Sequence, residues 1–115
     1  MALETIEVGQ GDGPTLHFRI KERLPDGTMV PYNLSGGATV HFIGKADRDD
    51  TGNVFDWTAT ITLDGTAPGA TYSQADVVVN TSVTTNPVTY FAKLVATRGG
   101  APDTIKQVWF RVANT

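Results

Sequence analysis

The chain has 115 residues and a mass of 12.3 kDa, which is one domain's worth of sequence with no room for a second core of ordinary size. Nine Lys and Arg stand against twelve Asp and Glu, for a net charge of −3 and a pI of about 5.1. The basic residues are spread along the whole chain, so nucleic acid, which calls for a basic patch or a domain pI above ~9, is not an expected partner. There is no cysteine, which excludes disulfide staples, thiolate zinc sites and cysteine nucleophiles.

With 40% hydrophobic and 18% charged residues and a mean hydropathy of −0.14, the composition is that of a foldable globular chain. A domain of this size buries roughly two-thirds of its unfolded surface, enough for a core without covalent help. The longest apolar run, Val77-Val78-Val79, is three residues, against the ~20 that a membrane-spanning helix needs, so no membrane partner is expected. Met1 to Glu7 has no basic segment followed by an apolar stretch and does not read as a secretory signal. The expectation is a product made in a cytosol that stays soluble.

Period-two alternation, the pattern of strands with one buried face, dominates the chain. A short extended piece is expected at Thr5 to Val8, making residues 1–9 an N-terminal arm or edge strand, closed by Gly9, Gly11, Gly13 and Pro14. Leu16, Phe18 and Ile20 alternate with His17, Arg19 and Lys21 in the clearest half-buried strand. Asp26-Gly27 predicts a tight turn, because both residues tolerate the positive φ of two-residue hairpin loops. Met29 to Tyr32 follows as an edge strand marked by Pro31.

After Gly36-Gly37, Ala38 to Ile43 reads as a strand with Val40 and Phe42 on one face, and the polar stretch Lys45 to Asn53 as an exposed hairpin loop. Val54 to Leu63 reads as a single strand. Tyr72 to Asp76 is expected to be a loop or one helical turn, leading into a strand at Val77 to Val79. Val88 to Ala96 and Ile105 to Val112 form a hairpin across Arg98 to Asp103. Seven or eight short antiparallel strands at turn spacings of roughly 8–12 residues imply an all-β domain, a β-sandwich or small barrel over residues 1–115. The seventeen threonines suit such pleated, half-solvated surfaces.

Residue types that carry chemistry are sparse. His17 and His41 are the only histidines; a metal site would need their strands to be neighbours and a third ligand such as Asp56, whereas a solvated sheet face explains both without further assumption. The loop Asp47 to Asn53 has half of a calcium-loop pattern: counting from Asp47, Gly52 is sixth, but the twelfth residue is Thr58 rather than Glu. A solvated hairpin tip is the expectation there, with weak calcium binding as the alternative. Ser35, Ser73 and Ser82 are the only serines, none in a Gly-x-Ser-x-Gly elbow. Glu is limited to Glu4, Glu7 and Glu22, near the N-terminal end, and Gly9, Gly11 and Gly13 precede a strand, not the helix that a phosphate cradle requires. The expectation is no enzyme, no catalytic residue, no metal and no cofactor.

The most informative feature is apolar bulk on faces that ought to be polar. If Tyr90, Ala92, Leu94 and Ala96 point inward, Phe91 and Val95 point outward. With Val108, Phe110 and Val112 inward, Trp109 points outward beside Arg111. Paired as a hairpin, these strands gather Phe91, Val95 and Trp109, with Arg111, into a candidate protein interface. The alternative is that a loop or the N-terminal segment covers the patch, or that both faces of the sheet are partly buried.

Several stretches taken together have a familiar form: Gly11-Asp12 before Leu16-His17-Phe18-Arg19-Ile20, Pro25-Asp26-Gly27-Thr28, the element Asn33-Leu34-Ser35-Gly36-Gly37-Ala38-Thr39-Val40-His41-Phe42, the late strand Val88-Thr89-Tyr90-Phe91-Ala92-Lys93-Leu94 and the closing strand Val108-Trp109-Phe110-Arg111-Val112. The chain resembles, from about Gly9 to Val112, the immunoglobulin-like domain at the N-terminus of bacteriophage baseplate upper proteins and related phage virion modules. It departs in the extra Gly37 and in stopping soon after the last strand. The resemblance implies an immunoglobulin-like β-sandwich and a non-enzymatic structural protein of a tailed bacteriophage virion, decorating a capsid or belonging to the tail or baseplate. Its partners would be other virion proteins, with the chain itself a homo-oligomer or present in repeated copies. A carbohydrate- or host-surface-binding adhesion module is the alternative, and a small hydrolase a third reading that no constellation of residues supports.

Overall fold

The computed structural model describes residues 3–34, 37–46, 52–64 and 71–114. The described residues form ten strands and no helix. In chain order these are β1 (Glu4–Gly9), β2 (Thr15–Arg19), β3 (Lys21–Arg23), β4 (Met29–Pro31), β5 (Thr39–Lys45), β6 (Phe55–Thr58), β7 (Thr60–Asp64), β8 (Thr71–Val78), β9 (Thr89–Arg98) and β10 (Ala101–Ala113). They assemble into a five-stranded sheet of order β1-β10-β9-β5-β6, a three-stranded sheet of order β2-β8-β7 and the small hairpin β3-β4. The domain is all-β, as the alternation predicts.

β9 and β10 are the backbone of the large sheet, antiparallel with Trp109 opposite Phe91 and Phe110 opposite Tyr90. Their inward residues are those the parity predicts: Ala92, Leu94, Ala96, Val108, Phe110 and Val112 are all buried. Between Thr104 and Lys106 the register shifts, leaving Ile105 as the extra residue of a bulge, packed against the core. Of the arm and the edge strand expected for the first residues, Glu4–Gly9 is the edge strand, and it pairs with β10 in parallel. That corrects the wholly antiparallel expectation. Parallel pairing needs a long crossover, and here almost the entire chain separates the two strands.

Two further expectations are corrected. The single strand expected over Val54 to Leu63 is two strands in different sheets: β6 pairs with β5 in the large sheet, and β7 pairs with β8 in the small one. Ala59 is the hinge, its N–H donating to the Val40 carbonyl at 2.8 Å. Phe55, Trp57, Ala59 and Ile61 keep one parity and all pack on the same core, so side-chain alternation continues unbroken while the hydrogen-bonding partner changes. The region Tyr72 to Asp76 is not a loop or helical turn but the first half of β8. Its inward residues are Ser73 and Ala75, both fully buried. Small inward side chains hide the alternation from a hydrophobicity reading, and Ser73 offsets its burial by donating its hydroxyl to the Thr71 carbonyl at 3.4 Å.

Both larger sheets contribute to one core. Phe42 on β5 is its hub, with ring centroids 5.5 Å from Phe18, 5.8 Å from Phe55, 6.3 Å from Trp57 and 5.9 Å from Phe110. Gly44 lies opposite Phe55 in the β5-β6 register, and a Cβ there would stand 2.0 Å from the Phe55 ring. Any side chain at Gly44 would therefore displace that ring. The hairpin β3-β4 turns at Asp26-Gly27 as expected, but through a loop over residues 24–28 and not a two-residue one: only Gly27 takes positive φ, at +90°, while the Thr28 N–H donates to the Asp26 carboxylate at 2.9 Å. That bond, followed by the Thr28 hydroxyl, holds the Asp26 carboxyl below the usual range. The hairpin is fastened to the large sheet by Glu22 and Arg98 at 3.1 Å, with the Arg98 guanidinium 3.8 Å from the centre of the Tyr32 ring.

Candidate functional site

The outward face of the large sheet carries the residues singled out as a protein interface. Phe91 and Trp109 are direct cross-strand partners, with ring centroids 5.5 Å apart and planes at 71°, the edge-to-face arrangement that aromatic pairs favour. Phe91 is only 6% exposed although it lies outside the core cluster, and Trp109 is half-buried. Lys45 and Thr5 flank the pair in register on β5 and β1. Val95 lies four positions along β9, beyond the outward Lys93, opposite His41 and Thr104. The register therefore brings Phe91 and Trp109 together and sets Val95 apart. Arg111 is exposed and reaches across to β1, its Nη1 3.7 Å from the Glu7 Oε2.

The two histidines sit on different sheets, His17 on β2 and His41 on β5. Each has its own carboxylate: His17 Nδ1 lies 2.7 Å from Asp76 Oδ1, and His41 Nδ1 lies 2.7 Å from Asp56 Oδ1. Asp56, the third ligand considered for a shared metal site, is instead the private partner of His41. Gln74 donates to Asp76 Oδ1 at 2.9 Å and Thr62 to Oδ2 at 3.3 Å. Burial pushes the Asp76 carboxyl up, but the hydrogen bonds from His17, Gln74 and Thr62 and the charge of His17 together outweigh it and hold the group below the usual carboxylate range. Among the described residues no group of three or more His, Asp or Glu gathers as a metal set. Asp47 to Thr51, the heart of the calcium-loop reading, lies outside the described residues.

A second feature arises where the chain crosses from β6 to β7. An open cleft of about 590 Å³ lies there, lined by Asp56, Trp57 and Thr58 of β6, by the cross-strand partners Thr60 and Asp76, and by the Val79–Asn80 segment. Trp57 is half-buried, one ring stacked on Phe55 at 4.0 Å with planes 19° apart. The Val79–Asn80 segment is tied down by the stretch before β2: Val79 N–H donates to the Pro14 carbonyl at 2.9 Å, Gly11 N–H to the Thr84 carbonyl at 2.8 Å, and the buried Thr84 hydroxyl to the Asp12 carbonyl at 2.9 Å. Gly13 lies against this segment, where a Cβ would stand 2.9 Å from the Val79 carbonyl oxygen. Sequence reasoning missed the cleft because it depends on the sheet change at Ala59 and on Asp76 being in a strand. The alternation of Asp56, Thr58 and Thr60 against Phe55, Trp57 and Ala59 was the available signal.

No family model matches the chain, and no curated protein and no solved structure matches it.

Proposed function

We propose that this chain is a non-enzymatic structural component of a tailed bacteriophage virion, an immunoglobulin-like β-sandwich that works by binding other virion proteins in repeated copies. The sandwich reading is supported by the five- and three-stranded sheets contributing to one core. The phage reading is supported by the motif residues from Gly11-Asp12 to Val108-Trp109-Phe110-Arg111-Val112. The observation that carries the assembly role is the Phe91–Trp109 pair, aromatic bulk on the face of β9 and β10 opposite the core cluster. Aromatic residues with arginine are the groups on which protein interfaces concentrate their energy, and Arg111 lies two positions from Trp109 on the same face. β1 ends the large sheet, so its outer edge offers backbone groups to a neighbouring strand. Copies joined in this way form a ring where the rotation between neighbours closes.

Light scattering across a concentration series tests this. The expected result is a closed oligomer for the wild-type chain and a monomer for Trp109→Ala, with the circular dichroism spectrum unchanged. A wild-type monomer at every concentration that also fails to bind intact phage particles would overturn the proposal.

A further inference from the structure

We infer that the cleft at the crossing between β6 and β7 binds a neutral saccharide, at the β6 edge of the large sheet and away from the Phe91–Trp109 pair. The chemistry of its lining selects the ligand. Trp57, packed on the core through Phe55 at 4.0 Å but only half-buried, is one of the residues lining the cleft and contributes apolar surface for the C–H groups of a sugar ring. Asp56 pairs with His41 through Oδ1 and its side chain is 47% exposed, so a ligand hydroxyl can reach the carboxylate as an acceptor. Asn80 accepts the Ser82 N–H at 2.9 Å through Oδ1, which leaves its amide N–H groups as donors. The hydroxyls of Thr58 and Thr60 line the same space and can donate or accept.

Charge narrows the choice further. Among the described residues the cleft presents two carboxylates, Asp56 and Asp76, and neither Lys nor Arg, so phosphate, sulfate and uronic or sialic acids meet repulsion. A metal ion lacks a third acidic or histidine ligand among the described residues. What remains is an uncharged molecule with many hydroxyls and one apolar face. The site is also preorganised: the histidines behind Asp56 and Asp76 fix both carboxylates, and the bonds from Gly11 and Val79 fix the Val79–Asn80 segment. Groups held in place before binding lower the ordering cost of recognition.

The test uses the full chain against an array of neutral hexose and N-acetylhexosamine oligosaccharides, with acidic glycans as the second arm. The strongest neutral oligosaccharide is then titrated in by ¹H–¹⁵N correlation NMR. Binding to neutral glycans alone is expected, with shift changes centred on residues 56–60 and 76–81. Asp56→Asn should weaken binding by about tenfold, the worth of a charged hydrogen bond, and Thr58→Val serves as a second variant that leaves the His41 pair intact. Trp109→Ala should bind the oligosaccharide as the wild type does while losing self-association, so failure of the saccharide site and failure of the assembly proposal read out separately. Absence of any neutral hit, preference for acidic glycans, or shift changes confined to the Phe91 and Trp109 face would each overturn the inference.

Discussion

Trp57 and Trp109 both lie in the large sheet and both are half-buried, yet they sit in opposite surroundings. Trp57 faces the core at the edge strand β6, within 6.3 Å of the Phe42, Phe55 and Phe110 rings. Trp109 faces away from the core on β10, with Phe91 as its ring partner. One residue's difference in parity separates a ring that closes the core from one that covers a sheet face, because successive side chains in a strand point to opposite sides. The same ring therefore joins the aromatic core in one place and lies on the far face of the sheet, against Phe91, in the other. Partial exposure alone does not distinguish them.

That contrast breaks if the two tryptophans cost the same to remove. Trp57→Ala should lose about 3 kcal/mol, in the range of core aromatic truncations, whereas Trp109→Ala should lose about 1 kcal/mol, the worth of its edge-to-face pair with Phe91. Urea unfolding of both variants measures the gap, and equal midpoints would show that Trp109 is as structural as Trp57. The next effect belongs to Asp76, the carboxylate of the small sheet that lines the cleft. Its folded pKa lies below its ordinary value, so it stabilises the fold fully above the ordinary carboxylate range, and that stabilisation fades as pH falls through the depressed pKa. In that window the unfolded chain binds the extra proton. Asp76→Asn should flatten the acid limb of a urea-midpoint profile taken from pH 6 to pH 2; an unchanged slope would show that the His17 and Gln74 bonds contribute no pH dependence. The smallest effect is expected at Glu7. Its ion pair with Arg111 spans 3.7 Å between side chains that are each 57% exposed, and Glu7→Gln should shift stability by less than about 0.5 kcal/mol, less still in high salt. A larger loss would make Arg111 part of the sheet's structure, not part of a contact surface.

Much of this was legible from alternation. The β9-β10 hairpin, its inward residues and the outward placement of Phe91, Trp109 and Arg111 follow from period-two parity, and the turn at Asp26-Gly27 from its residue types, both of which are local. Two strands escaped it for opposite reasons. In β8, Ser73 and Ala75 face inward without being large or strongly apolar, so the pattern has no contrast. Across β6 and β7 the contrast is strong, but parity carries no information about which strand supplies the hydrogen bonds. The cleft inherits both omissions, since it needs Asp76 in a strand and a change of sheet at Ala59.

From the sequence by itself came the all-β class, the faces of the strands, the turn positions and the absence of cysteine chemistry, because each depends on residues within a few positions of one another. Only the tertiary structure decided that β1 pairs in parallel with β10, that Val95 stands apart from the aromatic pair, that His17 and His41 take separate aspartates, and that Asp56 and Asp76 share one cleft. Those facts depend on register and on strand order, which are set by how two sheets fill one core and not by any single segment.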